Sequence, residues 1–232
     1  MRYASRSLGA VALGILGAAL VSARADVLTW TAANTGDWFV VENWTNTTAP
    51  ESTRVPADGD AAVIANAGAT VLLTNSSAAL GSLLVSNATL SFSNWNTLLS
   101  ATNLTVEKSG VLTCSGPFTN FVMSNRVNLV CDTLFVAAGG AIDVNNKGFI
   151  GARGVGSGSD PLLGSGPGVL TNYAGAYTIY GGAGHGGFGV SYAYADNPDN
   201  TYGSGTEPME PGSGGSCYPS QTYMNGGDGG GA

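Results

Sequence analysis

The residues whose types best suit ligand binding lie in the last third of the chain. Residues 196–200 read Asp-Asn-Pro-Asp-Asn and so cluster oxygen ligands. Because Ca²⁺ takes about six to eight oxygens, often from carboxylates and carbonyls, Asp196, Asp199 and Asn200 are candidate calcium ligands. The spacing is not that of an EF-hand loop, and these residue types are also common in ordinary turns. A solvated acidic loop is therefore the simpler interpretation, and calcium is the only cofactor the sequence suggests.

The sequence predicts no catalytic constellation. The only histidine, His185, lies within Gly-Gly-Ala-Gly-His-Gly-Gly, where glycine neighbours would allow a tight loop. A metal site needs several ligands, so a packing or hydrogen-bonding role for this histidine is favoured. Carbohydrate cleavage would need paired carboxylates on one face. Asp143 lies between Ile142 and Val144 and is expected to point outward without such a partner.

Composition and charge exclude further classes of function. The chain has 232 residues, of which 36 are glycine and only 10% are charged, well below the usual ~25%. Acidic residues outnumber basic residues by 15 to 8. A nucleic-acid-binding domain would need a basic patch, so that class is excluded.

Three cysteines leave two alternatives open. Cys114 occupies a core-type position, and Cys131 follows near the same point of the next repeat. In an exported protein the two could form a disulfide, but buried free cysteines also behave as small apolar residues. Buried thiols are favoured, and Cys217 is then left unpaired.

The N-terminal segment 1–25 has the features of a secretory signal. Arg2 and Arg6 precede an uncharged apolar run over positions 8–21, and Ala23-Arg24-Ala25 is a small-residue cleavage motif. The run is shorter than the ~20 residues needed to span a bilayer. We expect cleavage after Ala25, a secreted or cell-surface product and no membrane span after processing.

The zone 60–150 contains a repeated pattern of paired apolar residues. Each unit has two pairs with a spacing of two, separated by a short polar or small-residue turn, and the units start at Ala62, Leu83, Leu104 and Leu134. A spacing of two places both members of a pair on one strand face. The first two steps between units are equal and the third is longer, and a loop within 118–126 accounts for the difference.

This repeat predicts an all-β fold, specifically a right-handed parallel β-helix or β-solenoid with turns of about 21 residues. An antiparallel β-sandwich is the alternative. The zone 26–59 is expected to cap the first turn, with Trp30, Trp38 and Trp44 covering the core. A sugar-stacking platform is the other interpretation of these rings. The segment 151–232 is Gly-rich, acidic and irregular, and it is expected to be interrupted by the end of the chain.

Several motifs resemble a known family. The run 38–44 (Trp-Phe-Val-Val-Glu-Asn-Trp), then Pro56, then 59–64 (Gly-Asp-Ala-Ala-Val-Ile) and 83–85 (Leu-Leu-Val) are similar to the start of secreted bacterial β-helix surface proteins. These include autotransporter-associated β-strand-repeat and adhesin-like passengers. The resemblance covers about positions 26–145 and implies an N-terminal fragment of such a protein.

The resemblance implies an exported, non-catalytic structural or adhesive protein. Its partners would be polysaccharides or cell-surface components. The first alternative is the N-terminal part of a carbohydrate-active β-helix enzyme, a polysaccharide lyase or hydrolase, whose site lies outside this chain. The second alternative is a calcium-dependent binding module.

Overall fold

The chain folds as an all-β protein, as the sequence predicts. The computed structural model describes residues 25–119, 122–152, 164–167, 184–185, 201–204, 206, 209–215, 229 and 231–232. These residues form thirteen strands and one 3₁₀ turn at Val41–Asn43, without an α-helix in the described ranges. No helix among them is long and apolar enough to cross a membrane.

The strands form two large sheets and one small pair. The first sheet contains β1 (Val27–Trp30), β3 (Trp44–Asn46), β4 (Ala61–Ile64), β6 (Ala79–Val85), β8 (Leu99–Val106) and β10 (Leu129–Val136). The second contains β2 (Thr35–Asp37), β5 (Thr70–Leu73), β7 (Thr89–Phe92), β9 (Val111–Cys114) and β11 (Ala141–Ile142). The small pair contains β12 (Gly184–His185) and β13 (Thr201–Tyr202).

Neighbouring strands in the two large sheets are mostly parallel. The first sheet runs in the order β10-β8-β6-β4-β1-β3 and the second in the order β11-β9-β7-β5-β2. Only the pair β1–β3 is antiparallel among the strands described. This pairing does not fit the antiparallel β-sandwich alternative.

The register of the strands pairs the apolar positions at which the predicted units start. Ala62 pairs with Leu83, Leu83 with Leu104, and Leu104 with Leu134. The second sheet carries an equivalent series, which runs through Val71, Leu90, Leu112 and Ile142. Each member of a series lies beside its equivalent in the next strand, so the core is built as columns of apolar side chains.

The chain alternates between the two sheets from β4 to β11. The connections from the second sheet back to the first span positions 74–78, 93–98 and 115–128. The last connection is the longest and produces the longer step of the repeat, so the predicted loop within 118–126 lies inside it. The parallel register continues across it, because β10 pairs with β8 from Leu129 to Val136.

The connections from the first sheet to the second contain similar turns, and these turns lie on one another. Each contains one residue with a positive φ angle: Gly68, Asn87, Ser109 and Gly139. The amide of Gly68 donates to the carbonyl of Asn87, and the amide of Ser109 donates to the carbonyl of Gly139. Glycine and asparagine adopt this left-handed conformation at low cost, which explains their recurrence at the turn.

The three tryptophans before the first repeat belong to the core. Trp30, Trp38 and Trp44 are fully buried. Trp44 packs edge-on against both others, with ring centroids 5.2 Å from Trp30 and 4.8 Å from Trp38. Its indole N–H donates to the carbonyl of Trp38 at 2.7 Å. The expectation of core-covering rings is confirmed, and the sugar-stacking interpretation is wrong because no ring face is open to a sugar.

One pair of substitutions tests the column architecture. Leu104 is 1% exposed, whereas Leu134, its neighbour in the same column, is 45% exposed. We expect Leu104→Ala to lower the free energy of unfolding by about 2–5 kcal/mol, the range for fully buried leucines. Leu134→Ala should cost about 1 kcal/mol, because about half of its side chain is already in water. Urea denaturation measures both, and equal losses would contradict the burial difference.

Candidate functional site

The two described residues that the sequence raised as catalytic candidates, His185 and Asp143, lie in separate parts of the chain. His185 lies in β12, where it pairs with Tyr202 of β13. The carboxylate of Asp143 accepts two hydrogen bonds from Asn145, through the backbone amide at 3.0 Å and the side-chain amide at 2.8 Å. The calcium candidates Asp196, Asp199 and Asn200 lie outside the described residues, so the calcium hypothesis stays a prediction.

Metal-binding and disulfide chemistry gain no support within the described ranges. No group of three His, Cys, Asp or Glu residues there could hold a metal ion. Cys114 is a buried free thiol in the second sheet, and Cys131 is a partly buried free thiol in the first. The favoured interpretation of a buried thiol is confirmed for Cys114 but not for Cys131, and the Cys114–Cys131 disulfide is wrong because both thiols are free. Burial raises the pKa of the Cys114 thiol, and the positive charge of Lys147 offsets this only in part.

A partly buried polar cluster lies at the beginning of the first sheet. It consists of Asp26, Asn46, Arg54 and Asp60, and we refer to it as the Asp60 network. Arg54 bridges both carboxylates: Nη2 lies 2.9 Å from Oδ2 of Asp26 and 3.0 Å from Oδ1 of Asp60, while Nη1 donates to Oδ2 of Asp60. Asn46 donates its side-chain amide to Oδ2 of Asp26 at 2.9 Å. The network therefore ties β1, β3 and β4 to the loop between β3 and β4.

Asp60 is the most enclosed charge of this network, with 1% of its surface exposed. Its carboxylate also accepts the backbone amides of Ala57 at 2.7 Å and Asp26 at 2.9 Å. Burial raises the pKa of Asp60, but the hydrogen bonds from Arg54 and from these two amides outweigh it and leave the pKa below its ordinary value. The same contact with Asp60 raises the pKa of Arg54. Both groups are therefore charged at neutral pH.

The edge strands β10 of the first sheet and β11 of the second sheet carry exposed apolar side chains. Leu134, Val136 and Ile142 continue the buried columns, yet they are 45%, 41% and 40% exposed. Their partners in the preceding strands, Leu104, Val106 and Leu112, are almost completely buried. We call Leu134, Val136 and Ile142 the end surface.

A shallow groove of about 370 Å³ lies beside the end surface. It is lined by Arg126, Val127, Asn128, Leu129, Ile142, Val144, Met209 and Ala232. The guanidinium of Arg126 stacks on the ring of Trp95 at 4.7 Å from its centroid and donates through Nε to the Trp95 carbonyl. The groove thus offers apolar contact and one fixed cation, without a paired carboxylate among its lining residues.

The region that contains β3 to β11 is similar to a known domain family. Residues 43–156 match the G8 domain. The match covers just under half of the chain and extends from the turn before β3 to beyond β11. No curated protein and no solved structure matches the chain significantly. The G8-like region therefore includes most of the Asp60 network and the end surface, and the match assigns no activity to either.

Sequence reasoning missed the Asp60 network because its members are far apart in the chain. Asp26 and Asp60 are separated by 34 positions, and Arg54 and Asp26 by 28. One signal was available: Arg54 is the only basic residue between the predicted cleavage site and Lys108. A lone cation among several carboxylates is a natural ion-pair partner, but the sequence alone does not select which carboxylates it meets.

The Asp60 network makes a prediction about pH. We expect Asp60→Asn to lower the free energy of unfolding by about 1–3 kcal/mol at pH 7, because it weakens hydrogen bonds to a buried charge. The folded-state pKa of Asp60 is lowered, so its contribution is complete above the unfolded value of about 3.9 and is lost as pH falls through the folded value. The difference between variant and wild type should therefore shrink below about pH 4.

Urea denaturation at pH 7, 5 and 3 measures this difference. Glu51→Gln is the matched control, since Glu51 is an exposed carboxylate in the same loop. A difference for Asp60→Asn that stays constant down to pH 3 would contradict the ion-pair assignment.

Proposed function

We propose that the chain is an exported, non-catalytic β-solenoid that serves as a structural or adhesive element at the cell surface or outside the cell. The observation that carries this proposal is the pair of in-register columns, one in each sheet, in which every position pairs with its equivalent in the next unit of the repeat. A repeat that contacts only its neighbours builds an extended support, and such supports commonly act through their surfaces.

The path of the chain supports the solenoid. From β4 to β11 each strand of the first sheet is followed by a strand of the second, and each return places the new strand parallel to its predecessor. Parallel crossover connections of this kind are right-handed in ~98% of cases, so the proposed coil is right-handed. The antiparallel strand β3 lies outside β1 and would close the beginning of the coil together with the three tryptophans.

The proposed location rests on the N-terminal sequence. A basic start, an apolar run and the Ala23-Arg24-Ala25 motif support export and cleavage before Asp26. Removal of this segment would leave five basic and fifteen acidic residues, so the exported product would be strongly acidic. The resemblance to secreted bacterial β-helix surface proteins agrees with this location, and polysaccharides or cell-surface components are the proposed partners.

The end surface favours one alternative function. Apolar columns that are buried in β8 and β9 and half-exposed in β10 and β11 suit a contact with further β-structure. In the alternative, this further structure belongs to a carbohydrate-active β-helix enzyme whose catalytic residues lie outside this chain. Both the structural and the enzymatic proposal assume the β-solenoid. Only the enzymatic proposal expects the protein to cleave a polysaccharide.

Turnover and calcium dependence separate the proposals. The purified protein should release neither reducing ends nor unsaturated sugars from a panel of acidic and neutral polysaccharides, because no paired carboxylates line the described groove. Its melting temperature should be the same in millimolar Ca²⁺ and in EGTA, since a ligand that binds only the folded state would raise it.

Variants of the candidate catalytic and calcium-binding residues show which results would contradict the non-catalytic proposal. Product release that is abolished by Asp143→Asn or His185→Ala would overturn the non-catalytic proposal. A calcium-dependent rise in melting temperature that is lost in an Asp196→Asn, Asp199→Asn double variant would instead support the calcium-dependent binding module.

A further inference from the structure

The main-chain nitrogen of Asp26 is a member of the Asp60 network in its own right. It lies 2.9 Å from Oδ1 of Asp60 and donates its hydrogen to that oxygen. The carbonyl of Asp26 accepts the amide of Ala61 at 2.8 Å, and its side chain is held by Arg54 and Asn46. The position of this nitrogen is therefore fixed from both sides of the residue.

The residue before this nitrogen lies in solvent. Ala25 is exposed, whereas Asp26 is partly buried and Val27 begins the first strand. The step from an exposed to a partly buried residue, between Ala25 and Asp26, thus coincides with the proposed signal cleavage site.

Cleavage of the Ala25–Asp26 bond would turn the main-chain nitrogen of Asp26 from a neutral amide into a charged donor at the same position. Hydrolysis of the Ala25–Asp26 peptide bond by a signal peptidase consumes one water, releases the Ala25 carboxylate and leaves an α-ammonium group on Asp26. A neutral amide opposite Asp60 is thereby replaced by a cation. Hydrogen bonds between charged partners are shorter and stronger than neutral ones.

The charge balance of the network points the same way. Before cleavage it holds the carboxylates of Asp26 and Asp60 against the single guanidinium of Arg54, which leaves one uncompensated negative charge. An uncompensated charge is costly where solvent is excluded, and Asp60 is 1% exposed. An α-ammonium group at Asp26 would bring the network to neutrality.

We propose that removal of the signal segment completes the Asp60 network: the new α-ammonium group of Asp26 forms a partly buried ion pair with Asp60 and makes the processed chain more stable than any form extended at Asp26. This inference rests on the proposed export and cleavage. Maturation would then set the stability of the first layer, on which the following layers stack.

Insertion of Gly-Ser between Ala25 and Asp26 tests the ion pair in the full chain. Wild type and this variant are exported from a bacterial host, and mass spectrometry identifies each N-terminus. Cleavage after Ala25 leaves the variant with a neutral amide at Asp26. The wild type should melt at least about 2 °C higher at pH 7. Equal melting temperatures would overturn the ion pair, whereas a wild-type N-terminus other than Asp26 would overturn the proposed cleavage itself.

Substitutions in the loop before β4 locate the effect. The melting difference between the two N-termini should disappear in the Asp60→Asn background, which removes the proposed partner. It should persist in Asp58→Asn, because Asp58 is an exposed carboxylate two positions away. A difference that survives Asp60→Asn would overturn the assignment.

A pH series on the wild type and the insertion variant remains decisive if Asp60→Asn does not fold. The charged groups facing the nitrogen are the carboxylates of Asp26 and Asp60 and the guanidinium of Arg54. The pKa of Asp60 is lowered and the pKa of Arg54 is raised, so both of these groups stay charged as the pH rises from about 7 to 11. A carboxylate partner raises the pKa of an α-ammonium group above about 8. Its contribution is therefore full at pH 7 and is lost as pH rises through the raised value. A melting difference unchanged at pH 11 would contradict the proposal.

Discussion

The register between parallel strands is the constraint on which the rest of the structure depends. Leu83 is buried because Ala62 lies on one side of it and Leu104 on the other, and the same holds for Leu90 between Val71 and Leu112. Side chains alternate along a strand, so a slip of one residue would turn a whole apolar set outward. The regular step of the repeat keeps the columns aligned, and the longer loop over 115–128 is accommodated outside them.

The columns have two ends, and the residues at the two ends differ in burial and charge. At the beginning, three enclosed tryptophans and the Asp60 network hold β1, β3 and β4 together with apolar contact and charge. At the other end, Leu134, Val136 and Ile142 face partly into solvent. Unpaired strand edges and uncovered apolar layers attract further β-structure. The first end therefore suits closure, and the second suits attachment, which agrees with a structural or adhesive role.

Local alternation explains which parts of the fold were predictable. The pairs that begin at Ala62, Leu83, Leu104 and Leu134 are visible in the sequence because a strand repeats every two residues. The equal steps between the first three pairs predict their parallel register. The Asp60 network was not predictable, since Asp26 and Asp60 meet across 34 positions and no periodicity links them. The exposure of β10 was also hidden, because its sequence is as apolar as that of buried β8. Burial there depends on what covers the layer.

Deletion of one whole unit of the repeat tests the stacked register most directly. Removing the segment 83–103 joins Ser82 to Leu104, and because Ser82 pairs with Asn103 and Leu83 with Leu104, every remaining position keeps its place. We expect this shortened protein to retain a β-rich circular dichroism spectrum and a cooperative thermal transition. Removing the segment 83–104 is the matched control, since the extra residue places Thr105 at the core position and shifts the alternation. Loss of cooperative folding in both deletions, or its retention in both, would contradict the dependence of folding on the stacked register.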